Sequence, residues 1–379
     1  SPNPVFKDYI SNVLPQLGEE NVQEGLFRQV ALAAFPTSLS VEEQWEQTEC
    51  GLTAGGAGCA AVDGRRAALA FKTSRQAPEA LNRYVDTLER AATRFPDLRL
   101  LAGAAFGGER LRGVYEDGVG QPMQVRLNRA KRAAAAWLES HVLLEYDTEV
   151  EVRAREAPSG AGDLRFGTVY RDLGTVSNQL RAAVESFLAE LNSWGNIDLT
   201  EMYSGFYARD AEWAPTGDGW NRICEFTTHV LDSGTMHYED LALHSLLGLA
   251  LMGRRSAGAP AMRHVVIDEV QDYSPAEYRF IRSMHPGAGF TMLGDLNQSL
   301  NPMKSPAGYD DVVADPTVHY VELFRSYRST TEIMDFASAV LEGSALRRVE
   351  TIERHGERPR LVVVPAPGDL PDAVVAAVE

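Results

Sequence analysis

Three short apolar runs in the second half of the chain each end in a cluster of polar side chains, and this pattern restricts the possible folds. The runs cover residues 264–267, 290–293 and 319–323, and the polar clusters follow at 268–272, 294–299 and 324–330. Short continuous apolar runs are typical of buried strands in parallel sheets. In open α/β sheets, ligands bind outside the carboxyl ends of the strands. The sequence therefore predicts an α/β domain whose ligand site is formed by these clusters.

The first cluster carries adjacent carboxylates directly after its apolar run. Asp268 and Glu269 follow residues 264–267. A carboxylate at this place can hold a hydrated Mg²⁺ while its neighbour orients a water for attack on a phosphoryl group. The alternative is that the two side chains only cap the strand end or form salt bridges, because charged residues are common in all proteins. The two later clusters favour the phosphate interpretation.

Taken in order, the three clusters resemble the motifs of one enzyme family. They read DEVQD at 268–272, GDLNQS at 294–299 and SYRS at 326–329. This set resembles motifs II, III and IV of the superfamily 1 helicases of the UvrD, Rep and PcrA kind. The resemblance covers residues 262–341 directly. It implies a RecA-like P-loop NTPase motor domain, with a parallel sheet and flanking helices, and the start of a second RecA-like domain.

The resemblance implies roles for the residues of the first cluster. Asp268 would hold Mg²⁺ through its water shell, and Glu269 would orient the attacking water as a general base. Gln271 would couple the nucleotide to the neighbouring motifs. Asp272 and Asp295 are either loop-fixing carboxylates or metal ligands, and the sequence does not decide between these roles. The resemblance therefore implies ATP and Mg²⁺ as cofactors.

The resemblance also implies roles for residues of the second and third clusters. Gln298 would sense the γ-phosphate, because its amide offers both a donor and an acceptor. Arg328 would present a planar cation to the γ-phosphate from the second motor domain. Tyr327 would stack on the adenine ring, although an ordinary half-buried aromatic is the alternative. Arg325 is expected to be a charge at the surface or at a domain interface.

An ATPase of this class needs a phosphate-binding loop of the form G-x-x-x-x-G-K-[ST], and the 379 residues contain none. The glycine-rich run at 51–59 lacks the Lys-Ser/Thr pair and is expected to be a flexible surface loop. The resemblance places residues 1–20 near motif Ia, and the last apolar run, 360–364, precedes any motif V or VI. We therefore expect a fragment of a longer protein that does not turn over ATP by itself.

These correspondences predict a division of the chain into four parts. They are residues 1–20 of the first RecA-like domain with an amphipathic helix over 5–17, an inserted lobe at 21–260, the rest of the first RecA-like domain at 261–318, and the beginning of the second at 319–379. Periodicity predicts a mixed α/β lobe. It has helices near 75–94, 121–145, 176–191 and 236–252, a hairpin near 150–166, and an aromatic stretch at 196–221 that we interpret as core rather than as an interaction surface.

Composition favours a cytoplasmic protein. A chain of 379 residues, 44% of them hydrophobic, suggests two or three domains with real cores. It contains no apolar run long enough to span a membrane and no signal peptide. Cys50, Cys59 and Cys224 have no metal-ligand spacing. We expect free thiols, with a disulfide between Cys50 and Cys59 as the alternative.

The formal net charge of −17 disfavours extensive contact with nucleic acid. The best basic cluster comprises Arg126, Arg129, Lys131 and Arg132, and a solvated helix face is the preferred interpretation over a nucleic-acid contact. The stretch after motif III, Leu300–Ser305, lacks the aromatic residues with which UvrD-like translocases stack bases.

Two function classes follow from these observations. The flanking segments resemble those of HelD-type ATPases, which act on bacterial RNA polymerase. The acidic charge, the missing stacking aromatics and the large lobe also favour this class. We therefore expect ATP binding and hydrolysis to be coupled to remodelling or release of RNA polymerase. The alternative is an ATP-dependent DNA helicase or translocase of the UvrD or helicase IV kind that acts on single-stranded DNA.

Overall fold

A computed structural model gives the structure of the chain. It describes residues 23–53, 60–91, 94–156, 164–170, 177–215, 219–254, 262–299, 310, 317–323, 325–340, 350–351, 353–366 and 370–378. The described residues form two compact units, one within 1–295 and 299–313, the other within 296–298 and 314–379. The expected helix over residues 5–17 and the stretch Leu300–Ser305 lie outside the described residues, as does Cys59.

Helices dominate the first unit. They are α1 (Phe27–Ala34), α2 (Gln44–Thr53), α3 (Ala60–Lys72), α4 (Gln76–Ala91), α5 (Gly108–Glu116), α6 (Met123–Tyr146), α7 (Asn178–Ser193), α8 (Leu199–Phe206), α9 (Trp220–Asp232), α10 (Asp240–Met252) and α11 (Pro275–Met284). The expected loop at 51–59 is therefore wrong in its first part, because residues 51–53 form the last turn of α2.

The strands of the first unit are short and pair two by two. They are β1 (Ser40–Val41), β2 (Leu98–Arg99), β3 (Ala105–Phe106), β4 (Val150–Glu156), β5 (Leu164–Tyr170), β6 (Thr235–Met236), β7 (His264–Ile267) and β8 (Gly289–Met292). The pairs β1–β6 and β7–β8 are parallel, whereas β2–β3 and β4–β5 are antiparallel. The fold class is thus mixed α/β, with two-stranded sheets among the described residues.

The long helices of the lobe follow their apolar periodicity. The helices expected near 75–94 and 121–145 are confirmed as α4 and α6. In α7 the residues at helical spacing are buried. They are Leu180, Val184, Phe187, Leu188 and Leu191. Ser177 begins α7 by accepting a hydrogen bond from the backbone N–H of Leu180 at 3.1 Å. Gly195, two residues beyond the helix, has φ +65, a conformation that glycine adopts without strain.

The hairpin and the aromatic stretch also agree with the sequence. Strands β4 and β5 pair antiparallel from Val150↔Tyr170 to Glu156↔Leu164. Within 196–221, four aromatic side chains are buried and a fifth, Trp213, packs against them. The buried four are Tyr203, Phe206, Tyr207 and Trp220. This stretch is therefore core, and each buried large apolar side chain stabilises the unit by about 1.5–3 kcal/mol.

The hydrophobic core of the lobe continues to α11. Phe27 of α1 lies edge-on to Phe280 of α11 at 6.0 Å between ring centroids, and Phe35 contacts the same ring at 6.3 Å. Helix α10 contacts both α1 and α11 and is buried along most of its length. The division of this unit into an inserted lobe and a motor domain stays a prediction.

Strands β7 and β8 occur where the sequence places them, but their burial was predicted wrongly. Val266 of β7 is 61% exposed and Leu293, just after β8, is 51% exposed. Of the four residues of β7, Ile267 alone is buried. Apolar side chains are buried on both faces of a strand when helices cover both sides of the sheet, and the described residues do not cover these two strands in that way.

The second unit contains β9 (Arg325–Ser326), α12 (Thr331–Val340), β10 (Glu350–Thr351) and α13 (Leu370–Val378). Strands β9 and β10 pair in parallel. Helix α12 begins directly after the third cluster. The strands expected at 319–323 and 360–364 are wrong, since both segments have no regular secondary structure. Their apolar side chains are mostly exposed, and among the described residues neither segment pairs with a strand.

Among the described residues, no helix combines the length and the apolar character needed to cross a lipid bilayer.

Candidate functional site

The candidate site lies at the carboxyl ends of the parallel strands β7 and β8. Their register pairs Val266 with Thr291 and Ile267 with Met292. His264 Nε2 lies 2.8 Å from Thr291 Oγ1 and joins the two strands by their side chains. Beyond the strands, the backbone N–H of Leu293 donates to the carbonyl of Ile267 at 2.8 Å. Two loops therefore leave the sheet side by side.

The DEVQD loop (residues 268–272) presents its first two carboxylates to solvent. Asp268 and Glu269 are both exposed. Asp268 Oδ1 accepts a hydrogen bond from the N–H of Glu269 at 3.1 Å. Glu269 has φ 52 and ψ 46, the left-handed conformation. For a residue with a Cβ this conformation costs about 1–2 kcal/mol, and such strain is common at functional sites.

Gln271 connects the two loops by its side chain. It is 1% exposed, and its Nε2 donates to Glu269 Oε2 at 2.7 Å. Its Oε1 accepts from the backbone N–H of Asp295 at 3.1 Å. The backbone adds a further link, because the N–H of Val270 donates to the carbonyl of Leu293 at 2.9 Å. The side-chain amide thus ties the glutamate of the first cluster to the GD turn (Leu293–Asp295).

Gly294 allows this close approach. A Cβ built at Gly294 would overlap Gln271 Oε1 and would lie 2.8 Å from Val270 Cγ1 and 3.1 Å from the Val270 nitrogen. Such distances are shorter than van der Waals contact, so a larger residue would push the GD turn away from Gln271. The glycine is therefore a steric requirement of the site.

Helix α11 anchors the DEVQD loop immediately downstream. Ser274 and Glu277 form a capping box, in which Ser274 Oγ accepts from the Glu277 N–H at 3.3 Å and Glu277 Oε2 accepts from the Ser274 N–H at 2.6 Å. Burial raises the pKa of Tyr273, which lies between the loop and the helix, and the nearby Glu277 raises it further. The Tyr273 hydroxyl therefore stays neutral and close to fixed carboxylates.

The structure brings together Asp268, Glu269 and Gln271 in the first unit. Asp272 is half-buried and donates its N–H to the Glu269 carbonyl at 2.9 Å. Asp295 contributes its backbone N–H to Gln271. These backbone contacts give both residues a part in fixing the loops.

The other candidate residues belong to the second unit. Gln298 is exposed at the end of a 3-10 helix, Leu296–Gln298. Tyr327 is 67% exposed, so it is not the half-buried aromatic that was the alternative prediction. Arg328 follows it and is exposed as well, with its carbonyl accepting a hydrogen bond from Arg354 Nη1 at 3.3 Å. Arg325 is exposed in β9, as expected for a surface charge.

The basic cluster of α6 is not the solvated face that the sequence predicted. Arg126 is buried, with its guanidinium 3.9 Å from the ring centroid of Tyr115, and Lys131 is buried with Nζ 3.4 Å from Asn196 Oδ1. Arg129 and Arg132 are exposed. Apolar and basic positions overlap on this helix, so two of the four basic side chains are buried with the apolar ones.

Sequence reasoning missed a buried polar cluster in the lobe. Lys72 Nζ lies 2.7 Å from Asp240 Oδ1, and both side chains are at most 1% exposed. The Tyr203 hydroxyl donates to Asp240 Oδ1 at 2.6 Å and lies 2.9 Å from the Tyr207 hydroxyl. Burial lowers the pKa of the neighbouring His244 to about 4. Lys72, Tyr203 and Asp240 are far apart in sequence, so no local pattern indicates the cluster.

Within the described part of the chain, no group of three or more His, Cys, Asp or Glu side chains is placed to hold a metal ion. Asp268 is an exposed carboxylate at the end of a strand, and its oxygens are ligands of the kind that a mostly hydrated Mg²⁺ binds. Comparison of the chain with models of known protein families gave no match, and comparison with curated proteins gave none.

Proposed function

We propose that the chain contains the metal-side and sensor-side segments of a superfamily 1 helicase-like ATPase of the HelD type. In this proposal β7 and β8 are two strands of a RecA-like domain, and β9 with α12 begins a second one. ATP binding and hydrolysis drive the remodelling or release of RNA polymerase. The Gln271 amide, which hydrogen bonds to both Glu269 and the GD turn, carries the proposal.

This geometry supports a nucleotide-responsive site for a physical reason. A general base must be held in place to orient a water, and Glu269 is held from one side by the buried Gln271. The same amide contacts the N–H of Asp295, so a displacement of the GD turn changes the position of Glu269. Motif II and motif III are thereby mechanically coupled, as a motor that senses its nucleotide requires.

Asp268 and Glu269 would meet Mg·ATP at its phosphates. Bound Mg²⁺ supplies charge neutralisation at the β- and γ-phosphates. Asp268 would hold the water shell of the ion, Glu269 would orient the attacking water, and Tyr327 and Arg328 would contact the adenine and the γ-phosphate. The loop that cradles the phosphates is not encoded in these 379 residues.

The first experiment tests the ATPase. In the intact protein as its gene encodes it, Glu269→Gln should retain Mg·ATP binding and lose turnover by roughly 10²–10⁴-fold, the usual contribution of a general base. Glu79→Gln is the matched control, because Glu79 is an exposed carboxylate on α4. Undiminished hydrolysis by Glu269→Gln would remove Glu269 from the role of base.

The charge of the chain favours RNA polymerase over single-stranded DNA as the partner. A net charge of −17 repels a phosphate backbone, and two of the four residues of the best basic cluster are buried. The residues at the positions of the stacking aromatics, Asn301 and Met303, offer no ring.

A second candidate function is translocation on single-stranded DNA, which the exposed pair Arg129 and Arg132 favours. The two candidates differ in what the intact protein binds. A polymerase factor should co-purify with RNA polymerase and should not have its ATPase stimulated by DNA. A DNA motor should bind single strands with an affinity that falls steeply with salt concentration, and should lose that affinity in Arg129→Ala/Arg132→Ala.

A further inference from the structure

The loop that carries Tyr327 and Arg328 is fixed from two directions within the second unit. We call residues 326–330 the YR loop. Upstream, β9 pairs with β10 through Arg325↔Glu350 and Ser326↔Thr351. Downstream, the loop runs directly into α12, whose first turn continues from Thr330.

A short segment later in the chain, Arg354–Gly356, closes on the first turn of α12, and we call it the clasp. The Thr331 N–H donates to the Arg354 carbonyl at 2.9 Å. Glu332 makes two contacts with the clasp. Its Oε1 lies 2.9 Å from His355 Nδ1, and its Oε2 accepts from the Gly356 N–H at 3.0 Å.

The clasp also contacts the YR loop itself. Arg354 Nη1 donates to the carbonyl of Arg328 at 3.3 Å. Gly356 lies against Thr330, because a Cβ built at position 356 would be 2.8 Å from Thr330 Cγ2. The clasp therefore touches the backbone of Arg328 and the residue that precedes α12.

Glu332 is the centre of these contacts. Its side chain is 21% exposed, whereas His355 is 71% exposed and contributes a weak, screened ion pair. The hydrogen bond with His355, followed by those with backbone N–H groups, lowers the pKa of Glu332 to about 2. The carboxylate thus joins the start of α12 to two consecutive residues of the clasp.

We propose that Glu332 is a positioning residue that sets the place of Arg328 through the clasp. The proposal rests on the proposed function, in which Arg328 contacts a nucleotide phosphate. The Arg328 side chain is long and exposed, so the position of its backbone decides where its cation can reach. A misplacement of about 1 Å at a reacting centre can reduce a rate by about 100-fold, and removal of the clasp leaves the Arg328 backbone without these restraints.

The test is a double-mutant cycle in the intact protein, with kcat and KM for ATP measured separately. Glu332→Ala should lower kcat by roughly 10- to 100-fold, whereas Glu357→Ala, which removes an exposed carboxylate beside the clasp, should not. In the Arg328→Ala background, Glu332→Ala should produce no further loss of kcat. Glu332→Gln, which keeps an acceptor for the Gly356 N–H, should recover part of the activity.

Hydrogen exchange of residues 325–332 gives a readout that does not depend on ATP. Glu332→Ala should accelerate exchange there, and Glu357→Ala should not. The positioning role is overturned if Glu332→Ala lowers kcat equally with and without Arg328, or if it leaves both kcat and exchange unchanged. Absence of ATPase activity from the unmodified intact protein would overturn the proposed function itself, and the exchange data would still report whether Glu332 fixes the loop.

Discussion

Replacement of Gln271 tests whether the DEVQD loop and the GD turn are joined as the structure indicates. Gln271→Met keeps a side chain of similar length and removes both hydrogen bonds. A hydrogen bond to a charged acceptor contributes about 1.5–3 kcal/mol and a neutral one about 0.5–1.5 kcal/mol. Glu269 is exposed, which favours the lower ends of these ranges. We therefore expect the free energy of unfolding of the first unit to fall by about 2 kcal/mol.

Gln271→Glu separates the two contacts. The new carboxylate can still accept from the Asp295 N–H, but it faces Glu269 Oε2 at the position where the amide nitrogen now lies 2.7 Å away. A favourable contact becomes repulsion between like charges. Gln271→Glu should therefore destabilise the unit at least as much as Gln271→Met, although it changes the shape of the side chain less.

Thermal unfolding at neutral pH measures both effects. A loss of about 2 kcal/mol corresponds to a Tm lower by roughly 4 °C in a unit of this size. The matched controls are Gln179→Met and Gln179→Glu, because Gln179 is exposed on α7. If Gln271→Glu unfolds at the same temperature as the unmodified protein, the Nε2 contact with Glu269 does not exist and Gln271 does not hold Glu269 in place.

Three further predictions concern packing, a buried ion pair and pH. Gly294→Ala should destabilise the first unit by about 1–3 kcal/mol through overpacking. Gly113→Ala is the control: a Cβ there meets nothing within 4 Å, so this change should stabilise α5 by about 0.5–1 kcal/mol. Thermal unfolding measures both changes in stability. Lys72→Met should cost about 3–5 kcal/mol because it leaves Asp240 buried without a cation, and in urea unfolding Lys72→Met/Asp240→Leu should be less destabilised than Lys72→Met. The pKa of Glu332 is lowered from 4.5 to about 2. The ionised carboxylate therefore stabilises the clasp fully above pH 4.5, and this stabilisation is lost as the pH falls toward 2. An NMR titration that finds the Glu332 carboxyl protonated near pH 4.5 would contradict the contacts with the clasp.

The sequence predicted the long elements because each of them carries its own periodic signal. Helix α6 repeats apolar residues over 24 residues, and the β4–β5 hairpin alternates along both strands. A helix closes its hydrogen bonds within itself, so a local pattern is sufficient. A hairpin pairs neighbouring segments, and the same reasoning applies.

The short apolar runs were less predictable because a strand depends on a partner that its own sequence does not specify. Residues 264–267 pair in parallel with β8, whereas residues 319–323 and 360–364 do not form strands. Their composition is similarly apolar, so the difference lies in what each segment pairs with. Burial was overestimated for the same reason, as Val266 shows.

At the candidate site, the roles that the family resemblance implies stay predictions, and the structure adds how the side chains are held. A coupling role was predicted for Gln271, and the structure shows two hydrogen bonds of its amide, one to Glu269 and one to the backbone of Asp295. The left-handed backbone of Glu269 carries no sequence signal, because glycine or asparagine is the usual residue there. The steric need for Gly294 depends on Gln271, a residue 23 positions away, and becomes visible only when both loops are placed.

Helix α11 gives the site a direct mechanical link to the lobe. Its capping box begins at Ser274, two residues beyond the DEVQD loop, and Phe280 on the same helix packs against Phe27 and Phe35. A helix of ten residues is stiff along its axis, so a movement of the loop that displaces Ser274 must also displace Phe280 in a closely packed core. Glu277 is buried and shared between the cap and Tyr238, whose pKa is raised by burial and by this carboxylate. The first turn of α11 is therefore held by the lobe as well as by the loop. A displacement of Glu269 or Gln271 can thus be transmitted to the lobe through packed side chains.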